Sequence, residues 1–255
     1  MAKVQDKFQT ATAARVGRNP LSTAIGDTTN LRGFDQLREG QRKGWLQQHD
    51  KPFRINNLPT GAGKSYLIAA IATHRMFENR KLRTWICVPE TSIADGFLDI
   101  KFTLPTGMDW HWEIGHPLCG EKQNEASNTR YVIDWLQHPS TKYMKGRILI
   151  STHATAVRVY QMLAETGRLD LLKDLNLEID EGHHLLNAQV EGIGHEEIDA
   201  EMGRNRIGSL VNHFWENRKR GLEVGITTAT FARGDGYSNL TPEQLAGFSR
   251  FNLPY

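Results

Sequence analysis

Two scarcities narrow the class of protein to which this 255-residue chain belongs. Cys87 and Cys119 are its only cysteines, so no disulfide framework supports the fold and a reducing compartment is the simpler expectation. No apolar run approaches the roughly 18 residues of a membrane span, and the N-terminus lacks a hydrophobic signal core. We therefore expect a soluble, cytoplasmic protein without a membrane partner.

The chain also lacks a large excess of positive or negative charge. The formal net charge is +2, from 31 Lys and Arg against 29 Asp and Glu, which is too small to indicate nucleic-acid binding by itself. A hydrophobic content of 39% and a charged content of 24% are ordinary for a globular protein. Because composition excludes so little, the function has to be inferred from motifs.

The most informative motif is LPTGAGKS at positions 58–65. It lies between a predicted strand over 53–57 and a predicted helix over 66–72. A strand, a glycine-rich turn and a helix in this order form a phosphate-binding loop, because backbone N–H groups and the helix N-terminus face one anion. Lys64 is expected to reach the β- and γ-phosphates, and the Ser65 hydroxyl to bind Mg²⁺.

One position departs from the general phosphate-loop pattern, which has glycine where this chain has Leu58. The alternative interpretation is a glycine-rich turn without a ligand. On the phosphate-loop interpretation, the residues that contact the nucleotide are Thr60, Gly61, Ala62, Gly63, Lys64 and Ser65.

Apolar runs and helical spacings alternate along the chain, which predicts an α/β fold with a parallel sheet and helices on both faces. Residues 103–128 are expected to be irregular apart from one strand, and the tail from 234 to be loop-like except for a short helix capped by Thr241. The predicted strands cover 53–57, 83–89, 147–152, 175–180 and 222–227, and the predicted helices cover 31–47, 66–72, 93–102, 128–138, 154–165 and 206–220.

An acid pair, Asp180 and Glu181, closes the predicted strand over 175–180. Ligands of open parallel sheets bind outside the carboxyl ends of the strands. Asp180 would hold Mg²⁺ mainly through its water shell, and Glu181 would act as the general base for the attacking water. A solvated acidic turn is the alternative when the pair is taken alone. The adjacent histidines His183 and His184 lack spaced partners for zinc.

Three motifs together resemble motifs I, II and III of the superfamily 2 helicases, DExH branch: LPTGAGKS at 58–65, DEGH at 180–183 and TATF at 228–231. Their order and spacing are similar to those of the first RecA-like domain of that family, over about residues 31–235. The resemblance implies a P-loop NTPase fold that uses ATP and Mg²⁺ and couples hydrolysis to movement on DNA or RNA, with DNA slightly favoured.

The same resemblance implies roles for further residues. In the family, an element similar to residues 37–41 reads adenine, while other elements couple hydrolysis to movement or line the nucleic-acid track. The alternatives are a surface glutamine at position 41 and helix capping by the hydroxyl residues. The implied roles are adenine binding by Arg38 and Gln41, coupling by His183, Thr228 and Thr230, and nucleic-acid contact by Pro89, Thr91, Ser92, Thr152 and His153.

Residues 1–30 show little apolar periodicity, which predicts a loosely ordered lead-in. The resemblance adds a RecA-like domain over 31–236 and a tail over 237–255 that leads toward a second domain. In the family that second RecA-like domain supplies arginines that stabilise the transferring phosphate. We expect it to lie in a continued chain or a partner subunit, and we expect the chain alone to be a weak ATP hydrolase.

Two other functions remain open from the sequence. One is an ATP-responsive nucleic-acid-binding module of a nuclease or defence complex, with little turnover of its own. The other is a P-loop phosphotransferase, which usually needs an arginine-rich lid that this sequence does not offer.

Overall fold

Short runs of buried residues form the strands of one parallel sheet. The computed structural model describes residues 37–89, 95–98, 100–103, 109–112, 114–118, 125–139, 145–182, 186–188, 207–229, 236–238 and 240–253. Its strands are β1 (Phe53–Asn57), β2 (Arg83–Val88), β3 (Lys101–Thr103), β4 (Asp109–His111), β5 (His116–Pro117), β6 (Ile148–Thr152), β7 (Leu175–Asp180), β8 (Leu186–Ala188), β9 (Leu222–Thr228), β10 (Gly236–Ser238) and β11 (Ser249–Asn252).

Helices connect most of these strands. They are α1 (Glu39–Gln48), α2 (Lys64–Glu78), α3 (Asp95–Leu98), α4 (Glu125–Gln137), α5 (His153–Glu165), α6 (Ile207–Glu216) and α7 (Pro242–Gly247). Single 3₁₀ turns cover Lys145–Arg147, Leu169–Leu171 and Arg218–Arg220. No helix within the described ranges is long and apolar enough to cross a membrane.

Seven strands make one sheet in the order β11-β1-β9-β7-β2-β6-β5, and every neighbouring pair in it is parallel. Two small antiparallel pairs, β3 with β4 and β8 with β10, lie outside this sheet. Because the seven strands are parallel, all of their carboxyl ends lie at the same end of the sheet, which we call its carboxyl edge. The predicted α/β fold with a parallel sheet is confirmed.

Both faces of the sheet are covered. Helices α1, α2 and α3 pack on one face with Ile86, Val88, Ile148 and Ile150, and helices α4, α5 and α6 pack on the other with the apolar residues of β1, β7 and β9. Strands of a parallel sheet buried on two sides carry few exposed residues. All six residues of β2 and of β7 are accordingly buried.

The predicted helix over 93–102 is wrong in the described part of that stretch. Only Asp95–Leu98 is helical, and Lys101–Thr103 forms a strand that pairs with Asp109–His111. The prediction rested on the helical spacing of Ile93, Phe97, Leu98 and Phe102, of which Phe97 is buried and Leu98 is exposed. Ile100 is buried next to the strand pair. The Trp112 N–H donates to the Ile100 carbonyl at 2.9 Å, so a partner distant in sequence decided the structure.

Three other predicted boundaries need correction. The helix predicted from residue 31 begins at Glu39 in the described residues, where Gln41 Oε1 accepts the N–H of the N-cap residue Arg38 at 2.8 Å. The helix predicted to end at 220 stops at Glu216 and continues as a 3₁₀ turn. The tail is not a loop around its short helix: residues 236–238 form β10, and 249–252 form an edge strand parallel to β1. The helix capped by Thr241 is confirmed.

Some predictions lie outside the described residues. These are the lead-in over 1–30, the nucleic-acid candidates Thr91 and Ser92, and the coupling candidates His183 and Thr230.

A buried ion pair lies beneath helix α2. Arg54 on β1 pairs with Glu178 on β7, and its Nη2 also donates to Asn176 Oδ1 at 2.7 Å. These three side chains are fully buried. Strand β9 runs between them and presents Gly225 in register with both Arg54 and Glu178. A methyl group added at Gly225 would overlap Glu178 Oε2 and lie 3.0 Å from Arg54 Nε, so only glycine leaves room for the pair.

We therefore expect Gly225→Ala to lower the free energy of unfolding by about 3 kcal/mol, because the added methyl group forces apart a buried ion pair. Urea denaturation measures the change. Gly167→Ala is the matched control: its added methyl group meets no atom within 4 Å, and only its φ of 65° is unfavourable, so it should cost about 1 kcal/mol. Equal losses for the two variants would contradict the account.

Candidate nucleotide-binding site

The glycine-rich loop follows β1 at the carboxyl edge of the sheet. Gly61 and Gly63 have φ values of 77° and 79°, in the left-handed region that favours glycine. A Cβ atom at Gly61 would meet nothing within 4 Å, so the loop has open space on that side of Gly61. Helix α2 begins at Lys64, and its N-cap residue, Gly63, makes no side-chain capping bond.

The start of α2 differs from the starts of α5 and α7. Those helices begin after Thr152 and Thr241, whose side chains accept a hydrogen bond from a first-turn N–H. The first N–H groups of a helix have no partner within it. At α2 no capping side chain takes up this hydrogen-bonding capacity, and the helix dipole makes the position favourable for an anion.

Leu58, the departure from the phosphate-loop pattern, has a structural reason. Its side chain is fully buried in the core around α2, and its N–H donates to the Thr228 carbonyl at 2.9 Å. It is not among the non-glycine residues with positive φ. The turn begins after this position, so a leucine there does not obstruct the loop.

Lys64 and Glu181 form an ion pair at the carboxyl edge of the sheet, although they are 117 positions apart in the sequence. Asp180 ends β7, and Glu181 follows it with a φ of 54°, an unusual left-handed conformation for glutamate. This turn directs the Glu181 side chain toward the loop. Both partners are largely but not completely buried, at 11% and 22% side-chain exposure. The loop and the acid pair predicted from sequence thus meet in one site.

Asp180 is almost completely buried, and burial raises the pKa of its carboxyl group to about 6. Lys64 opposes this increase, whereas the neighbouring charge of Glu181 adds to it. Asp180 Oδ1 accepts the Glu181 N–H at 3.0 Å, which holds the carboxyl group at the end of its strand. A buried acid with few protein partners is suited to receive a cation.

Helix α1 lies directly against the loop. Arg38 Nη1 donates to the Gly61 carbonyl at 2.8 Å, and Gln41 Nε2 donates to the Gly63 carbonyl at 2.9 Å. Gln41 is buried, and its Oε1 accepts the Arg38 N–H at 2.8 Å. The two residues assigned to adenine binding therefore contact the phosphate loop itself. Sequence reasoning missed these contacts, since no local pattern places α1 against residues more than twenty positions away.

A parallel sheet covered by helices on both faces carries a glycine-rich loop after one strand and an acid pair after another. This α/β architecture fits a P-loop NTPase fold. Its strand β9 lies between the strand of the P-loop and the strand of the acid pair.

Comparison with solved structures finds helicases. The chain is similar to the helicase domain of Pyrococcus furiosus Hef (16% identity over 85% of this chain, TM-score 0.47) and to the UvsW helicase of bacteriophage T4 (17% over 85%, TM-score 0.46). It is also similar to the DUF1998 helicase MrfA bound to DNA and AMPPNP (15% over 90%, TM-score 0.49). The chain spans 36%, 60% and 29% of the lengths of these structures, respectively.

No protein-family model matches the sequence, and no curated protein matches it significantly.

The remaining candidates lie around the same edge. Thr228 ends β9 and accepts the Leu58 N–H through its carbonyl group, so the predicted coupling strand contacts the first residue of the P-loop. Pro89 follows β2 and is half-buried. The Thr152 side chain accepts the Thr155 N–H at 3.2 Å, which is the capping role left open by the sequence. Nucleic-acid contact by Pro89 and Thr152 stays a prediction.

His153 points into the sheet edge. Its Nε2 lies 3.2 Å from the Cys87 carbonyl oxygen and 3.1 Å from the Asp180 carbonyl oxygen, and a carbonyl group only accepts, so Nε2 carries the proton. The ring therefore links the ends of β2 and β7 behind the acid pair. A role for His153 in nucleic-acid binding stays a prediction.

The side chains of Ser65 and Asp180 fit a magnesium ion by their chemistry. A hydroxyl and a carboxylate are hard oxygen ligands, and Mg²⁺ takes few protein ligands because it keeps waters and binds substrate phosphates. Within the described ranges, no group of three or more His, Cys, Asp or Glu residues is placed to hold a metal ion. A Mg²⁺ ion would thus depend on phosphates and water for its other ligands.

The raised pKa of Asp180 predicts that Asp180→Asn stabilises the nucleotide-free protein at neutral pH. The folded carboxyl group keeps its proton up to about pH 6, whereas the unfolded one loses it near 3.8. Ionisation therefore disfavours folding progressively between pH 4 and 6, and the full penalty persists above that window. We expect the variant to gain roughly 1–3 kcal/mol at pH 7.5 and nothing below pH 4.

Urea denaturation in EDTA across pH 4–8 measures this gain. Asp170→Asn, at an exposed position of a 3₁₀ turn, is the control and should not change stability. A gain that is the same at pH 4 and pH 7.5 would contradict the burial of an ionised Asp180.

Proposed function

We propose that this chain is the ATP-binding domain of a superfamily 2 DExH helicase or translocase, which hydrolyses ATP and couples the reaction to movement on DNA or RNA. The observation that carries the proposal is the meeting of Lys64 and Glu181 in front of an uncapped helix N-terminus. A cationic side chain, free amide groups and a general base at one strand edge are the parts that phosphoryl transfer to water needs.

In the proposed mechanism, Lys64 and the amide groups of residues 60–65 bind the β- and γ-phosphates. Ser65 and Asp180 would hold Mg²⁺, which neutralises charge on the phosphates when bound. Lys64 is paired with Glu181, so an incoming phosphate competes with that carboxylate for the ammonium group. Release from Lys64 leaves the Glu181 carboxylate available to orient and deprotonate the attacking water.

The nucleic acid is proposed to contact the carboxyl edge near Pro89, Thr152 and His153, with the DNA option slightly favoured over RNA. A second RecA-like domain, in the continued chain or in a partner, would supply arginines to the transferring phosphate. Thr228 would couple that closure to hydrolysis, because its strand contacts Leu58 at the base of the P-loop.

The second candidate function is an ATP-responsive binding module with little turnover. It uses the same phosphate loop and differs only in whether Glu181 performs chemistry. The ion pair of Glu181 with Lys64 is the observation that favours this candidate, because a Glu181 carboxylate that stays bound to Lys64 cannot activate water. The phosphotransferase alternative has no specific observation in its favour.

We expect Lys64→Ala to abolish binding of Mg-ATP, since it removes the one charge that the loop directs at the phosphates. Titration with a fluorescent ATP analogue, or calorimetry, measures the dissociation constant. Lys43→Ala is a matched control, because Lys43 is an exposed lysine on α1 paired with Glu39. Equal affinity for the parent and Lys64→Ala would refute the proposed nucleotide site.

Replacement of Glu181 by Gln should separate binding from chemistry. The change removes the carboxylate that competes for Lys64, so we expect Mg-ATP to bind more tightly, by a factor of roughly 3–10. Turnover should fall by at least about 100-fold if Glu181 is the general base. A variant that hydrolyses ATP as fast as its parent would favour the binding-module candidate.

The chain alone should turn over ATP slowly, even with nucleic acid added. The expected reason is that, in the proposed mechanism, arginines of a second RecA-like domain stabilise the transferring phosphate, and such arginines contribute on the order of 10³ to 10⁵ in rate in related chemistry. Phosphate release assays with single-stranded and double-stranded DNA and RNA measure this turnover. Fast stimulated turnover by a purified monomer would contradict it.

A further inference from the structure

Helix α1 is held between two neighbours: the P-loop on one side and the edge strand β11 on another. Gly40 and Gly44 lie one helical turn apart on α1. Residues at this spacing share a helix face. Both glycines face the side chains of residues that follow the capped helix α7, in or just after β11. This contact lets the helix approach the sheet edge closely.

The fit at this contact is tight. A Cβ atom at Gly44 would lie 2.8 Å from Phe251 Cε1 and 3.0 Å from Leu67 Cδ2, and a Cβ atom at Gly40 would overlap Leu253 Cδ2. Phe251 is 5% exposed, and Leu253 packs against the same core cluster. The side chains of Phe251 and Leu253 therefore occupy the space that the two glycines leave.

Two residues at the start of α1 contact the P-loop. Arg38 and Gln41 donate to the carbonyl oxygens of Gly61 and Gly63, the two residues whose left-handed φ values shape the loop. Gln41 lies between Gly40 and Gly44 in the sequence. A shift of α1 away from the sheet would therefore pull both donors away from the loop.

Strand β11 is itself firmly placed. It pairs in parallel with β1 from Ser249 to Asn252, and the Leu253 N–H donates to the Asn57 carbonyl at 2.9 Å. Asn57 is the last residue of β1, immediately before the P-loop. The backbone of β11 is thus held in place by β1, next to the point where the P-loop begins.

From these contacts we propose that Phe251 and Leu253 are positioning residues for the nucleotide site. They set the distance between α1 and the sheet and so hold Arg38 and Gln41 against the P-loop carbonyl groups. The proposal rests on the proposed nucleotide binding for its functional consequence. The mechanical link itself is a property of the nucleotide-free protein.

The test uses Leu253→Ala and Phe251→Ala, with Arg250→Ala as the matched control, since Arg250 lies on the same strand with an exposed side chain. Leu253 is only partly buried, so its variant should fold even if Phe251→Ala does not. Leu253→Met, which restores an apolar side chain of similar volume, tests rescue. Thermal unfolding verifies that each variant is folded.

Two readouts are measured. Hydrogen exchange without nucleotide should be faster over 38–48 and 61–67 in Leu253→Ala, but not in Arg250→Ala or Leu253→Met. The dissociation constant for Mg-ATP should rise about fivefold in Leu253→Ala. In the double variant with Leu253→Ala and Gln41→Ala, the dissociation constant for Mg-ATP should be little higher than in Gln41→Ala alone, because both changes act through the same contact.

Unchanged exchange over 38–48 in the folded alanine variants would overturn the proposal, as would effects of Leu253→Ala and Gln41→Ala that add fully. A parent chain that binds no nucleotide would contradict the proposed function instead. In that case the exchange measurement alone still supports or overturns the mechanical link.

Discussion

Three neighbouring strands, β1, β9 and β7, end at the same level of the sheet, and the site depends on that alignment. Their parallel register pairs Asn57 with Thr228 and Asp180 with Thr227. The backbone bond from Leu58 to Thr228 extends this register into the first residue of the P-loop. Lys64 and Glu181 can form an ion pair only because both strand ends are fixed in this way. A shift of one residue in any pair would separate them.

The same three strands carry polar residues on the face beneath α2. Arg54, Asn176 and Glu178 form hydrogen bonds with one another there, although the buried Arg54 Nε has no hydrogen-bond partner, and Gly225 leaves room for the three side chains. A second pair, Arg75 with Glu223, links α2 to β9, with Arg75 Nε donating to Glu223 Oε2 at 2.8 Å. Buried charges of this kind stabilise little in total, but they strongly disfavour any register that leaves one of them unpaired. They therefore specify the strand alignment on which the site depends.

Helix α1 adds a second constraint, from the other side of the loop. The Gln41 amide group uses its oxygen for the Arg38 N–H and its nitrogen for the Gly63 carbonyl. Gln41 thus shapes the turn that is proposed to bind phosphates. Adenine binding by this residue stays a prediction, and such binding would have to share or replace these bonds.

The sequence alone determined the elements whose signals are local. The strand over 53–57, the glycine turn, the strand over 175–180 and the Thr241 cap depend on short-range sterics and hydrogen bonds, so composition and spacing predict them. The tertiary structure alone decided the pairing of Lys64 with Glu181, the contacts of Gln41, the hairpin at 101–111 and the recruitment of 249–252 as an edge strand. Arg54 and Glu178, which are charged residues inside two predicted strands, are the sequence signal that could have indicated a buried pair. Each of these contacts joins segments distant in sequence, where loop-closure entropy and packing, rather than local propensity, select the partner.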